Sequence, residues 1–159
     1  MFSEKSIQDS IFKHYAKQTG NDYELIVPNV YLYGWESDLI IYTKNGVIIE
    51  IEIKITKQDL INDKNKDKHK IIETCSDYDK PNYLIYAIPS TMIQNNVIPD
   101  QYGLIVVNTT GGVRMIRKPK ILSAATKLKN KKQYLLKSTY FKYWKARTNE
   151  GIFHNNRKN

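Results

Sequence analysis

Cysteine is nearly absent from this chain. A single Cys75 among 159 residues excludes an internal disulfide and fits a reducing compartment. Without further cysteines, a zinc site would fall to His14, His69 and His154, which stand far apart in sequence. No apolar run approaches the length of a bilayer, and Met1-Phe-Ser-Glu-Lys lacks the apolar segment of a secretory leader. A cytoplasmic protein with no membrane partner is therefore expected. Repeats, linkers and shifts of composition are missing too. The expectation is a single domain over 1–159, with a core at about 3–108, a basic extension at about 113–147 and a tail at 151–159. Acid is in short supply: 16 Asp and Glu face 25 Lys and Arg, a net charge of +9. That balance favours a polyanionic partner, with nucleic acid the first candidate and a generally basic protein the plainer alternative.

What is present centres on Val47–Ile55. Ile49, Ile51, Ile53 and Ile55 alternate with Ile48, Glu50, Glu52 and Lys54, the period of a strand. The β-branched side suits a packed sheet. The other side sets two carboxylates and an ammonium in one row, where burial is costly unless they pair or hold a metal. The strand is expected to be central.

In chain order, residues 3–18 read as a helix capped by Ser3, with Ile7, Ile11, Phe12 and Tyr15 at helical spacing and Gly20 as its stop. Glu4 falls in its first turn, where it complements the helix dipole. Residues 23–33 read as a strand interrupted or bulged at Pro28-Asn29. Residues 36–42 form a second strand. Two turns are open to the hairpin that follows. A two-residue Asn45-Gly46 turn sets Asp38 opposite Ile53. A three-residue Lys44-Asn45-Gly46 loop, with Gly46 left-handed, sets Asp38 opposite Glu52 and Glu36 opposite Lys54.

Thr56 and Asp59 can cap a helix running to about Ile72. Its Lys57, Lys64, Lys68 and His69 suit either phosphate contact or an ordinary solvated face. Residues 82–88 are apolar on both faces, as in a parallel strand reached by a helical crossover. A short helix at 91–98, a strand at 103–108, a turn at 109–112 and a return strand at 113–118 follow, and from Ile121 the chain reads as helical, in two pieces. No Asp or Glu occurs from Arg114 to Asn149, where Lys129, Lys131, Lys132 and other bases are interleaved with aromatics. That composition suits a nucleic-acid backbone, with stacking if the strand is single; core aromatics and solvent-facing lysines are the alternative.

Asp38, Glu52 and Lys54 form a D…ExK pattern on adjacent strands. Paired carboxylates invite a divalent cation, Mg²⁺ or Mn²⁺, whose bound water can attack a phosphodiester, while Lys54 can stabilise charge developing on the phosphate. Two structural salt bridges are the plainer explanation. The order helix, three antiparallel strands, basic helix, apolar strand resembles the PD-(D/E)xK nuclease superfamily. The chain is similar in particular to its small MmcB-like and VRR-NUC-like repair and phage nucleases. The resemblance runs over about Glu4–Asn108. It is carried by Val27-Pro28-Asn29, Glu36-Ser37-Asp38, Glu50-Ile51-Glu52-Ile53-Lys54, Thr56-Lys57-Gln58-Asp59 and Asn82–Pro89. It implies a mixed-sheet α/β fold with an αβββαβ restriction-endonuclease-like core, to which a C-terminal hairpin strand and basic helices are added. It implies a Mg²⁺- or Mn²⁺-dependent deoxyribonuclease of DNA repair, recombination or phage DNA processing. Asp38, Glu52 and the Ile53 carbonyl would hold the metal, Lys54 would be the catalytic lysine, and Glu4 would match an assisting acid. DNA is the implied partner, and a homodimer is common among such enzymes. Ser37 departs from the proline of the motif. A binding module of the same fold that does not cut, and a structural or RNA-associated basic protein, are the competing readings.

Overall fold

The computed structural model describes residues 2–17, 22–95 and 98–149. Six strands form one mixed sheet in sequence order: β1 (Tyr23–Tyr31), β2 (Glu36–Thr43), β3 (Ile48–Ile53), β4 (Tyr83–Pro89), β5 (Gly103–Val107) and β6 (Val113–Arg117). β1, β2 and β3 are antiparallel, β3, β4 and β5 are parallel, and β6 returns antiparallel. With helix α1 (Glu4–Ala16) ahead of β1 and α2 (Lys57–Asp63) and α3 (Asp67–Thr74) between β3 and β4, the αβββαβ order and mixed α/β class are those expected. Among the described residues, no helix is long and apolar enough to cross a membrane.

Ser3 caps α1 through a reciprocal pair: its hydroxyl accepts from the Ser6 N–H, and the Ser6 hydroxyl accepts from the Ser3 N–H. Gly20 lies outside the described residues. β1 runs through Pro28 without losing register, pairing Pro28 with Leu39 and Val30 with Ser37. An edge strand tolerates the missing N–H; its irregularity lies instead at Tyr23/Leu25.

The β2–β3 turn is the three-residue one. The Gly46 N–H donates to the Thr43 carbonyl and the Thr43 N–H to the Val47 carbonyl, with Gly46 at φ 78°. A side chain there would also strike the Lys127 backbone at 2.4 Å.

Each sheet face is covered. On one, Ile7 and Ile11 of α1 pack on Leu39, Ile41, Ile51, Ile53, Ile85 and Val107. On the other, Leu60 of α2 and Ile72 of α3 pack on Leu84, Tyr86 and Ile88, and Leu135 packs on Val27, Ile40 and Tyr42. The stretch expected as one helix to Ile72 is therefore two. Lys64 and Asn65 form a turn between them, closed by Asn65 N–H to Asn62 O and Lys66 N–H to Asp63 O, and this redirects the chain so that Leu60 and Ile72 both reach the core.

Helix α4 is likewise a correction. It is a single helix, Lys129–Asn149, rather than two pieces from Ile121. Residues 118–128 form no helix because their backbone pairs elsewhere. Leu122 donates to Asn82 O and Lys127 to Gly46 O, while the Asn82 amide donates to the Ser123 and Ala125 carbonyls.

Candidate active site

The ladder pairs Leu39 with Ile51 and Ile40 with Glu50, so Asp38 and Glu52 come next in step at the strand ends. The Ile53 N–H donates to Asp38 Oδ2 at 2.6 Å, fixing the carboxyl against β3. Asp38, Glu52, Ile53 and Lys54 line one cleft of about 350 Å³, with Glu4 from α1 and Asn62 and Lys66 from the other side. The two carboxylates thus face a common space.

Alternation turns Glu50, Glu52 and Lys54 toward α2 and α3. All three are buried, as are Asp63 and Lys68. Lys54 Nζ contacts Glu52 Oε1 and lies 2.9 Å from Asp63 Oδ1. Lys66, half exposed, bridges the same two oxygens at 3.2 and 3.0 Å. Lys68 Nζ lies 2.5 Å from Glu52 Oε2 and 4.0 Å from Glu50 Oε1. Glu50 also accepts from Trp35 Nε1 at 2.9 Å. Asp63 Oδ2 accepts from the Tyr86 hydroxyl and lies 3.0 Å from His69 Nε2, whose Nδ1 lies 3.2 Å from the Tyr102 hydroxyl.

These neighbours set the charges. Burial favours the neutral form of Glu52, but Lys68 and Lys54 outweigh it and hold its carboxyl below the usual range. Burial is likewise outweighed at Asp63, by the His69, Lys68, Tyr86 and Lys54 contacts. Glu50 is pushed up to about 7 by burial, which Lys68 and Trp35 only partly offset. Asp38 is pushed up to about 6, by burial first and then by the Glu52 charge, against the opposing Ile53 hydrogen bond. An ionised Asp38 beside Glu52 is therefore a place where a cation is favoured.

Glu4 has a built position. Its Oε1 accepts from Asn29 Nδ2 at 2.8 Å and Gln8 Nε2 at 3.1 Å. Buried Gln8 also reaches the Asp38 carbonyl at 2.8 Å and Asn29 Oδ1 at 3.0 Å, tying α1, β1 and β2 together at the cleft.

Several expected contacts lie elsewhere. Lys54 pairs with Glu52 and Asp63, not with Glu36 across the hairpin. Lys68 and His69, expected to face phosphate, are turned inward onto Glu52 and Asp63. Lys131 donates to the Leu32 carbonyl and lies over the Tyr33 ring, and Lys132 pairs with Glu24 at 2.5 Å. Lys57, Lys64 and Lys129 are exposed. Asp63 and Gln8 were not anticipated at the site, and Asn29 entered only through the Val27-Pro28-Asn29 match. Asp63 carried a readable signal, since it follows Leu60 by three residues and so shares its buried helix face.

Among the described residues, no three His, Cys, Asp or Glu side chains are grouped so as to hold a metal ion by themselves. Four acids line the cleft, Glu4, Asp38, Glu52 and Asp59; of these Asp38 and Glu52, with the Ile53 backbone, make the kind of sparse oxygen set that suits Mg²⁺, which keeps several waters.

No protein-family model and no curated protein matches this sequence. Among solved structures, the SPO1766 protein of unknown function from Silicibacter pomeroyi is similar, with a TM-score of 0.60 and 18% identity over 82% of this chain and 85% of that one. This likeness concerns the fold.

Proposed function

We propose that the chain is a metal-dependent deoxyribonuclease of the PD-(D/E)xK kind, acting in DNA repair, recombination or phage DNA processing. One observation carries this reading: Asp38 from β2 and Glu52 and Lys54 from β3 line the same cleft, with Glu4 beside them. The net charge of +9 supports a DNA partner. Asp38, Glu52 and the Ile53 carbonyl would hold Mg²⁺ or Mn²⁺. When bound, the ion supplies a water of lowered pKa and neutralises charge on the phosphate. Lys54 holds a fixed positive charge at the cleft wall, where negative charge grows on the phosphate. Gln8 and the Ile53 N–H hold Asp38 in place.

A second reading, a binding module of this fold that does not cut, is favoured by a different observation. Both Glu52 oxygens face lysines, Lys54 and Lys66 on one and Lys68 on the other, and a metal would have to share them.

The test is incubation of purified protein with linear, circular and branched DNA in Mg²⁺, Mn²⁺ or chelator. Wild type should cut with metal and stop with chelator. Glu52→Gln and Lys54→Met, chosen to preserve volume in a buried site, should each lower cleavage by roughly 10²–10³-fold or more with DNA affinity retained. Cleavage undiminished in both variants refutes the site assignment, and wild type that binds DNA without cutting establishes the second reading.

A further inference from the structure

Helix α4 has a surface that the sheet does not explain. It is 21 residues long, about 30 Å, yet Leu135 is its one fully buried side chain among the described residues. Tyr134, Tyr140, Phe141, Tyr143 and Trp144 are 43–59% exposed, a clustering of rings that marks a binding surface rather than a solvated face.

The charge on α4 identifies the partner. The helix carries six Lys and one Arg and no acid, so two such faces would repel each other, whereas a polyanion would be attracted. The rings identify its form. Tyr140 meets Phe141 and Trp144, and Tyr143 meets Trp144, at 65–77° between planes, which presents several separate ring surfaces rather than one closed stack. In a duplex, base faces are already stacked on each other; in a single strand they are free to stack on protein. Beside the rings, Tyr134, Lys137, Ser138, Phe141, Lys142 and Lys145 line a groove of about 380 Å³, mixing ring faces with cations.

A chain of hydrogen bonds also links the groove to the cleft. Lys142 Nζ donates to the Pro28 and Asn29 carbonyls. Asn29 in turn donates to Glu4, whose carboxylate lines the cleft with Asp38 and Glu52. The Pro28–Asn29 segment thus lies between Lys142 of the groove and Glu4 of the cleft.

We propose that α4 is a platform for single-stranded DNA, with bases stacked on its exposed rings and phosphates held by Lys137 and Lys145, leading the strand past Asn29 to the cleft. The platform names the form of DNA and rests on the nuclease reading for what happens at the cleft; its binding step stands separately.

The test measures anisotropy of a labelled oligothymidylate of about 15 nucleotides and of a duplex of equal length, in chelator so that nothing is cut. The full chain should prefer the single strand by tenfold or more. Phe141→Leu with Trp144→Leu keeps apolar bulk but removes the flat faces; it should weaken single-strand binding by roughly tenfold or more and leave duplex binding and thermal midpoint unchanged. Lys137→Ala with Lys145→Ala should reduce the salt slope by about 0.7 per lysine. Equal affinity for both DNA forms, or unchanged single-strand binding in the double Leu variant, overturns the platform. So does sedimentation showing a dimer that the double Leu variant dissociates, since the rings would then serve a protein interface. A chain that binds single strands through these rings but cuts no DNA keeps the platform and removes the nuclease reading.

Discussion

The two faces of β3 are built on opposite physics. Ile51 and Ile53 enter an apolar layer with Ile7 and Ile11 of α1, where burial stabilises the fold by about 25 cal/mol per Å². Behind them, Glu50, Glu52 and Lys54 enter an equally buried layer with Asp63 and Lys68, where each charge must first be stripped of water. Attraction between paired ions can do little more than offset that cost, and apolar residues of the same volume would often serve stability as well or better. The apolar face accounts for the fold. The ionic face is expensive and lies next to the cleft, where it accords with the proposed chemistry better than with a gain in stability.

Removing one member of the ionic layer should break this contrast most severely. Lys68→Ala leaves Glu52 and Glu50 facing an empty place where their shared cation stood. Denaturant unfolding at neutral pH should show a loss of about 3–5 kcal/mol, far beyond an ordinary surface lysine. A loss under 1 kcal/mol would mean that the layer is hydrated and that its charges are not committed to each other.

A smaller effect of opposite sign sharpens the comparison. Glu50 is pushed up to about 7, so between its ordinary range and pH 7 the folded chain keeps a proton that the unfolded chain has released. Its contribution to stability therefore falls as pH rises through that window and is fully lost above about 7. Glu50→Gln keeps an acceptor for Trp35 and has no proton to lose. It should match wild type near pH 4 and exceed it by roughly 1–3 kcal/mol at pH 8. Glu52 and Asp63, whose carboxyls are held low, add the reverse slope to both proteins and cancel in the difference. A variant less stable than wild type at pH 8 would show that the Glu50 charge is needed by Lys68.

Much of the apolar face was legible in the sequence. Alternation from Val47 to Ile55 located the central strand, and the apolar run at 82–88 declared a parallel neighbour. The register was narrowed to two choices, between which Gly46 decided by taking the left-handed conformation in a three-residue loop. The ionic face was legible in part. Asp38, Glu52 and Lys54 could be grouped because strand alternation fixes the side to which each points. Lys68 and His69 could not, because periodicity assigns a charged helical residue to solvent unless a buried partner is already known. Their partners, Glu52 and Asp63, come within reach only because the chain breaks at Lys64-Asn65 between α2 and α3. The irregular segment at 118–128 was illegible for a related reason: its backbone is held by Asn82 and Gly46, contacts far away in sequence.

The claim on which the account depends is that Asp38 and Glu52 together form a cation site. Calorimetric titration of Mn²⁺ into the full chain at pH 7.5, beside Asp38→Asn and a distant control such as Lys44→Ala in the exposed β2–β3 turn, tests it without reference to cleavage. The account predicts saturable binding in wild type and control that is lost in Asp38→Asn at millimolar metal. Heats absent from wild type, or the same in Asp38→Asn as in wild type, would contradict it.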